Sequence, residues 1–279
     1  MQPWRWRGVK YGRDDLSNAC SLGSMMQTRL SHPLLPWRQI IPWLVTRYLL
    51  RTVQIEAGSS GAGVPRTGRL VCVFAPHCGW IDSIVIDECF HRAGRAWPTW
   101  LTKTENRDLP GVLAAGRVIC MDQEYPEPSA VRAIDRLLAG PDAVLATALE
   151  GQRFGNPEDP DDFRILGPFK PGPVRFAIRA QVPILPVFIL GGERVVPLLD
   201  RVWREQGPLA AYRAIRQRIA DPQPIRVRFL PLYREHLDVD GPLPVKALGA
   251  QARLHTSRLR EALVTQIREI VPDYPVLGV

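Results

Sequence analysis

Lysine is nearly absent from this chain. It occurs only at positions 10, 103, 170 and 246, yet the net charge over 279 residues is +8, so arginine carries almost all of the positive charge. A basic surface favours an anionic partner: nucleic acid, an anionic membrane or a phosphorylated substrate. There is no block of consecutive basic residues and no aromatic–basic interleaving in the central region, so nothing points to a nucleic-acid arm. Cysteine is also sparse. Cys20, Cys72, Cys78, Cys89 and Cys120 form no C-x-x-C pair and leave an odd one over; three lie in apolar runs, which reads as reduced core thiols in a cytosolic compartment. No G-x-S-x-G elbow is present to make a serine hydrolase. Glu88-x-x-His91, with Asp82 and Asp87 nearby, has the form of half a di-iron site, but the second copy such sites require is missing. Cys78 stands beside His77 with nothing else to mark it as a nucleophile.

What is present divides into segments. Residues 1–33 hold Trp4, Trp6 and several arginines but no signal-peptide core, and are read as a poorly ordered tail in which Met25-Met26 offers an alternative start. Residues 34–56 are expected to form an amphipathic helix. After Pro42, Arg47, Arg51 and Gln54 recur on one face, while Trp43, Leu44, Tyr48, Leu49 and Val53 fill much of the rest. Its charges prevent it from crossing a bilayer, which takes roughly 20 apolar residues. Two readings fit this pattern, a membrane-interface helix or a helix packed on the core with arginines outward. Residues 57–68 are rich in glycine and serine and read as a linker.

From residue 69 onward, apolar strand candidates alternate with helical patterns. Strands are expected at 70–75, 97–102, 118–121, 143–149 and 184–190, with helices at 79–90, 109–115, from Ser129 to 138, and 173–180. This alternation predicts an α/β fold with a mixed, largely parallel sheet flanked by helices. Beyond Gly191-Gly192 the pattern loosens: a helix over 209–219, a half-exposed or edge strand over 225–230, and a long amphipathic helix over 249–270.

Parallel sheets bind ligands beyond the carboxyl ends of their strands. Here His77 follows the first strand of the alternating region, Lys103 the second, Asp122 the third and Glu150-Gly151-Gln152-Arg153 the fourth. A histidine oriented by a carboxylate is a means of removing a proton from an alcohol. His77 and Asp82 are five apart, which is not a same-face interval, so they meet only if His77 lies in the turn before a helix and folds over its first turn. The guanidinium of Arg153 is suited to a phosphate, Gly151 permits close approach of the backbone, and Lys170 before a helix start adds positive charge. Each also reads as ordinary turn or helix-start chemistry.

Taken together, these residues resemble the glycerolipid acyltransferase family, in particular its 1-acylglycerol-3-phosphate (lysophosphatidic acid) acyltransferase branch. The H-x-x-x-x-D motif matches His77–Asp82. The second block is similar to Lys103, Pro110-Gly111 and the stretch from Gly116 to Asp122. Leu149-Glu150-Gly151-Gln152-Arg153 matches the third in part, Phe169–Gly172 matches F-K-x-G, and Val182–Val187 matches V-P-I-x-P-V. Gln123 stands where the family has arginine, with Arg117 nearby as a substitute, and Gln152 where it has threonine.

The resemblance implies an O-acyltransferase domain over 69–279 using acyl-CoA or acyl carrier protein as co-substrate, with no metal or cofactor. In it, His77 and Asp82 form a general-base dyad, and Lys103, Gly151, Arg153 and Lys170 bind the acceptor, a lysophospholipid. Glu150 positions the acceptor's hydroxyls or supports Arg153. The resemblance also favours the membrane-interface reading of residues 34–56, implying a peripheral or monotopic enzyme of phospholipid biosynthesis on the cytoplasmic face. Gln123 and Gln152 motivate two alternatives: another lysolipid or lyso-aminolipid acceptor, or a catalytically silent lipid-binding relative.

Overall fold

The structure is a computed structural model that describes residues 53–56, 63–79, 81–104, 117–122, 126–152, 154, 165–192, 206–207, 210, 213, 225–237 and 243–277. These form a mixed α/β sheet with helices on both faces. In chain order the elements are β1 (Val53–Glu56), β2 (Leu70–Ala75), α1 (Ile81–Arg92), β3 (Thr99–Lys103) and β4 (Val118–Met121). They are followed by α2 (Pro128–Ala139), β5 (Val144–Ala148), α3 (Gly172–Ala180), β6 (Ile184–Leu190), β7 (Ile225–Phe229) and α4 (Val245–Ile270).

The strand order is β1-β7-β6-β2-β5-β3-β4. From β6 through β4 every pair is parallel; β7 runs antiparallel to β6, and β1 runs parallel to β7. β2 is central, and all six of its residues are buried. Its unbroken apolar sequence follows from that position, because both faces of a parallel sheet are covered. Leu70, Cys72 and Phe74 join α1 residues such as Val85, Ile86 and Phe90 in one core layer. Val71, Val73 and Ala75 join Ile134 and Leu138 of α2, Ala177 of α3 and Leu263 of α4 in the other. This alternation is the period of two that a strand imposes.

Two expectations need correction. Val53–Glu56, read as the end of an amphipathic helix, is a strand whose residues pair with Ile225–Arg228. The sheet therefore recruits residues upstream of 69. The β-branched residues Val53 and Ile55 suit a pleated strand, and that local preference wins over the helical spacing of the arginines. Of the two readings of 225–230, the half-exposed one holds, with Arg226 exposed and Ile225, Val227 and Phe229 buried, and the edge one does not, because the strand lies between β1 and β6. The rest of the proposed helix, residues 34–52, lies outside the described residues, as do 109–115 and most of 209–219.

Residues 63–68, the described part of the expected linker, are tied down. Arg95, 6% exposed, donates to the carbonyls of Pro65 (2.6 Å), Gly68 and Asp142 (3.4 Å). At the other end of the chain, the tail after α4 pairs with residue 166: Leu166 N–H donates to Pro275 O and Leu277 N–H donates to Leu166 O, both at 2.9 Å. Among the described residues, no helix is long and apolar enough to cross a membrane.

α1 also holds a half-buried acid, Asp87. Trp100 of β3 donates its indole N–H to Asp87 Oδ1 at 3.0 Å. Burial pushes the Asp87 carboxyl up to about 7, opposed by that hydrogen bond. Because the folded-state pKa exceeds the unfolded value of about 3.9, the native state binds the extra proton between these two values. Its stability therefore falls as pH rises from about 4 to 7, by about 1.4 kcal/mol per pH unit at most. Asp87→Asn is expected to remove this share, so that urea unfolding at pH 5 and pH 8 differs less in the variant than in the wild type. An equal difference in both proteins would show that Asp87 does not titrate in this way.

Candidate active site

The carboxyl ends of β2, β5, β3 and β4 lie along one edge of the sheet. The register sets Phe74 of β2 opposite Ala148 of β5, and Lys103 of β3 opposite Met121 of β4. His77 and Glu150 therefore leave adjacent strands at nearly the same level. Lys103 ends its strand two positions across from β2, about 10 Å away at the usual strand spacing, and Asp122 follows β4.

The chain leaves β2 through a cis Ala75–Pro76 bond and a short turn that includes Gly79 at φ 149°, then enters α1. This turn folds His77 back over the first turn of the helix, as the five-residue spacing requires. His77 Nδ1 lies 2.8 Å from Asp82 Oδ2. The same oxygen accepts the main-chain N–H of Cys78 at 2.9 Å and of Gly79 at 3.0 Å. The Asp82 side chain is 0% exposed and that of His77 is 25% exposed. A carboxylate that only accepts fixes the proton on Nδ1 and leaves the Nε2 lone pair free to take a proton. The ring is steered from another side by Phe74, edge-on at 5.8 Å, which Trp100 in turn meets edge-on at 5.8 Å.

Glu150, expected to position the acceptor's hydroxyls or to support Arg153, is turned into the protein. It is 0% exposed. Its Oε2 accepts the main-chain N–H of His77 at 2.5 Å, and its Oε1 accepts that of Gly167 at 2.7 Å. Burial pushes its carboxyl up to about 7, resisted first by these two N–H groups and then by His77, while Asp82 adds to the rise. The physical reason for the inward turn is the pair of otherwise unmet donors beside it; each would be costly to bury alone.

The remaining site residues are placed less tightly. Gly151 adopts φ 69°, the left-handed conformation that glycine takes without strain. Lys170 is exposed, and its main-chain N–H donates to Leu149 O at 2.7 Å, so it is carried next to the end of β5. Lys103 is half-buried at the end of β3, and Arg117 begins the approach to β4 with its carbonyl accepting Trp100 N–H at 2.8 Å. Arg153 and Gln123 lie outside the described residues. Cys78 is buried, its Sγ 3.9 Å from Pro76 O. The three carboxylates grouped earlier with His91 point apart: Asp82 to His77, Asp87 to Trp100 and Glu88 to Arg92 at 2.8 Å.

Sequence reasoning missed Gly167 and Phe154. A Cβ at Gly167 would collide with Cδ2 and Cε2 of Phe154, so the ring packs directly against the glycine. Only the bare glycine in the sequence hints at such a contact, and it does not name the partner.

The arrangement can remove a proton from a hydroxyl presented to His77 Nε2 and hold the resulting imidazolium against a buried carboxylate. Residues 60–190 match the family model described as Acyltransferase. No curated protein matches the chain. Among solved structures, the chain is similar to the crystal structure of PlsC, the 1-acyl-sn-glycerophosphate (LPA) acyltransferase from Thermotoga maritima. The identity is 16%, the match covers 81% of this chain and 80% of that one, and the TM-score is 0.43. Residues 60–190 are an acyltransferase domain.

Proposed function

We propose that the protein transfers a fatty acyl group from acyl-CoA or acyl carrier protein to the free hydroxyl of a lysophospholipid, with 1-acylglycerol-3-phosphate as acceptor and phosphatidic acid as product. The observation that carries this reading is the His77–Asp82 pair, 2.8 Å apart beyond the carboxyl end of the central strand. His77 Nε2 takes the proton of the acceptor hydroxyl as its oxygen attacks the thioester carbonyl. The tetrahedral intermediate collapses, the carbon–sulfur bond breaks, and the thiolate leaves with the proton returned by His77. Asp82 holds the imidazole's tautomer and stabilises its cation. Main-chain N–H groups around Gly151 are the proposed donors to the oxyanion; one such donor is worth on the order of 3 kcal/mol of barrier.

Arg153, with Lys103 and Lys170, is assigned to the acceptor's phosphate. Two features support this: the lysines stand at or beside the carboxyl ends of β3 and β5, and the overall charge of +8 favours anionic ligands. Membrane association through residues 34–52, at the cytoplasmic face, is part of the same proposal: their basic amphipathic sequence suits a membrane interface, and a lysophospholipid must be collected from a lipid surface.

His77→Ala is expected to abolish transfer, with thermal unfolding unchanged; turnover at the wild-type rate would rule out the base. Asp82→Asn keeps an acceptor of similar shape but removes the charge, so kcat is expected to fall on the order of a hundredfold or more while the protein remains folded. For Arg153→Ala, assays in detergent with a panel of lyso acceptors, read by product mass, should show a large loss for the phosphomonoester acceptor and a small one for a phosphate-free acceptor. Equal losses, or a preference of the wild type for a lyso-aminolipid, would remove the phosphate assignment.

A further inference from the structure

A continuous set of contacts runs from the C-terminal tail to the base. Leu166, fully buried, is gripped on both main-chain groups by the tail: its N–H by Pro275 O and its carbonyl by Leu277 N–H, both at 2.9 Å. Gly167 follows, packed directly against the Phe154 ring, which leaves no room for a Cβ. Its N–H donates to Glu150 Oε1 at 2.7 Å, and Glu150 Oε2 accepts the main-chain N–H of His77. Downstream, Lys170 N–H is fixed on Leu149 O at 2.7 Å, so the segment is held at both ends. The tail lies beyond the matched domain of residues 60–190.

We propose that Leu166-Gly167, clamped by the C-terminal tail and the Phe154 ring, is a positioning strut that holds His77 in place through Glu150. The proposal rests on the reading of His77 as the base. Asp82 fixes the imidazole from its Nδ1 side, but the main chain of residue 77 sits in a turn between a strand and a helix. Its N–H has Glu150 as its partner. Displacing a reacting group by about 1 Å costs on the order of a hundredfold in rate. The residue type at 150 follows from the geometry. Two N–H groups reach two different oxygens, and only a carboxylate accepts at both; glutamine offers one oxygen and turns an N–H toward the other donor.

Protonation of Glu150 has a similar effect, since one oxygen then carries a hydrogen where it must accept. Burial already pushes this carboxyl to about 7, and the titratable groups acting on it are His77, which lowers it, and Asp82, which raises it. The strut therefore loosens as pH falls through neutrality.

Two variants test this. Glu150→Gln removes one of the two accepting oxygens. Leu277→Pro removes the N–H that grips Leu166 O at a residue whose side chain is 43% exposed, so little packing is lost. Steady-state kinetics are run with both substrates varied, from pH 5 to 9, beside His77→Ala and thermal unfolding. For Glu150→Gln, the expected result is a kcat lowered by about ten- to a hundredfold with both KM values within about twofold. On the acid side of neutrality, log kcat falls less steeply with pH in Glu150→Gln than in the wild type, because the variant has no carboxyl at 150 to protonate. Leu277→Pro lowers kcat by a smaller factor, again with KM unchanged.

A rise in acceptor KM without loss of kcat would make Glu150 a substrate ligand and overturn the proposal, as would unchanged kcat in either variant. If Glu150→Gln does not fold, Leu277→Pro alone decides. Persistent turnover in His77→Ala would instead remove the base assignment, and the two failures are thereby told apart.

Discussion

One carboxylate oxygen organises the turn on which the chemistry depends. Asp82 Oδ2 accepts from His77 Nδ1 and from the main-chain N–H groups of Cys78 and Gly79. A carboxylate with no exposure would be expensive to bury on its own. Here it lies in the first turn of α1, where the helix N-terminus favours negative charge and the turn's own N–H groups need acceptors. The interaction that makes the turn foldable is therefore the one that aims the imidazole. Truncating Asp82 would release the turn as well as the ring, which is why an isosteric amide is the informative change.

The sheet supplies the second requirement, convergence. β2 and β5 are parallel neighbours in register, so a histidine just past one and a glutamate just past the other are brought within hydrogen-bonding distance although 73 residues apart. An antiparallel pairing would have sent one of them to the far edge. The antiparallel step is confined to β6 and β7, away from the site, where the sheet continues to β1.

Much of this was legible in the sequence because it depends on local pattern. The apolar runs 70–75 and 184–190 mark buried strands, and the residues just past strands mark the rim. The His77–Asp82 spacing even specifies the fold-back geometry, since no regular helix could join the two. The failures come from partners that local pattern cannot name. Val53–Glu56 carries helical arginine spacing upstream of it, and its strand pairing is with a segment some 170 residues away. Glu150 reads as a group that positions the acceptor or supports Arg153, because it follows a strand beside glycine and arginine. Its inward turn is decided by two N–H groups, one of them on Gly167 in a loop that no periodicity describes.

Two acids whose pKa values burial raises show how support and chemistry differ. Asp87 and Glu150 are each pushed up to about 7 by burial, so neither is there for the stability it adds at higher pH. Asp87 meets Trp100, which meets Phe74, which meets His77, so the first acid bears on the base through a row of rings. Glu150 bears on it through a single main-chain N–H. Ring contacts tolerate small displacements, whereas a hydrogen bond weakens steeply as its distance and angle change. Of the two supports, Glu150 is the one whose protonation state the position of His77 would register.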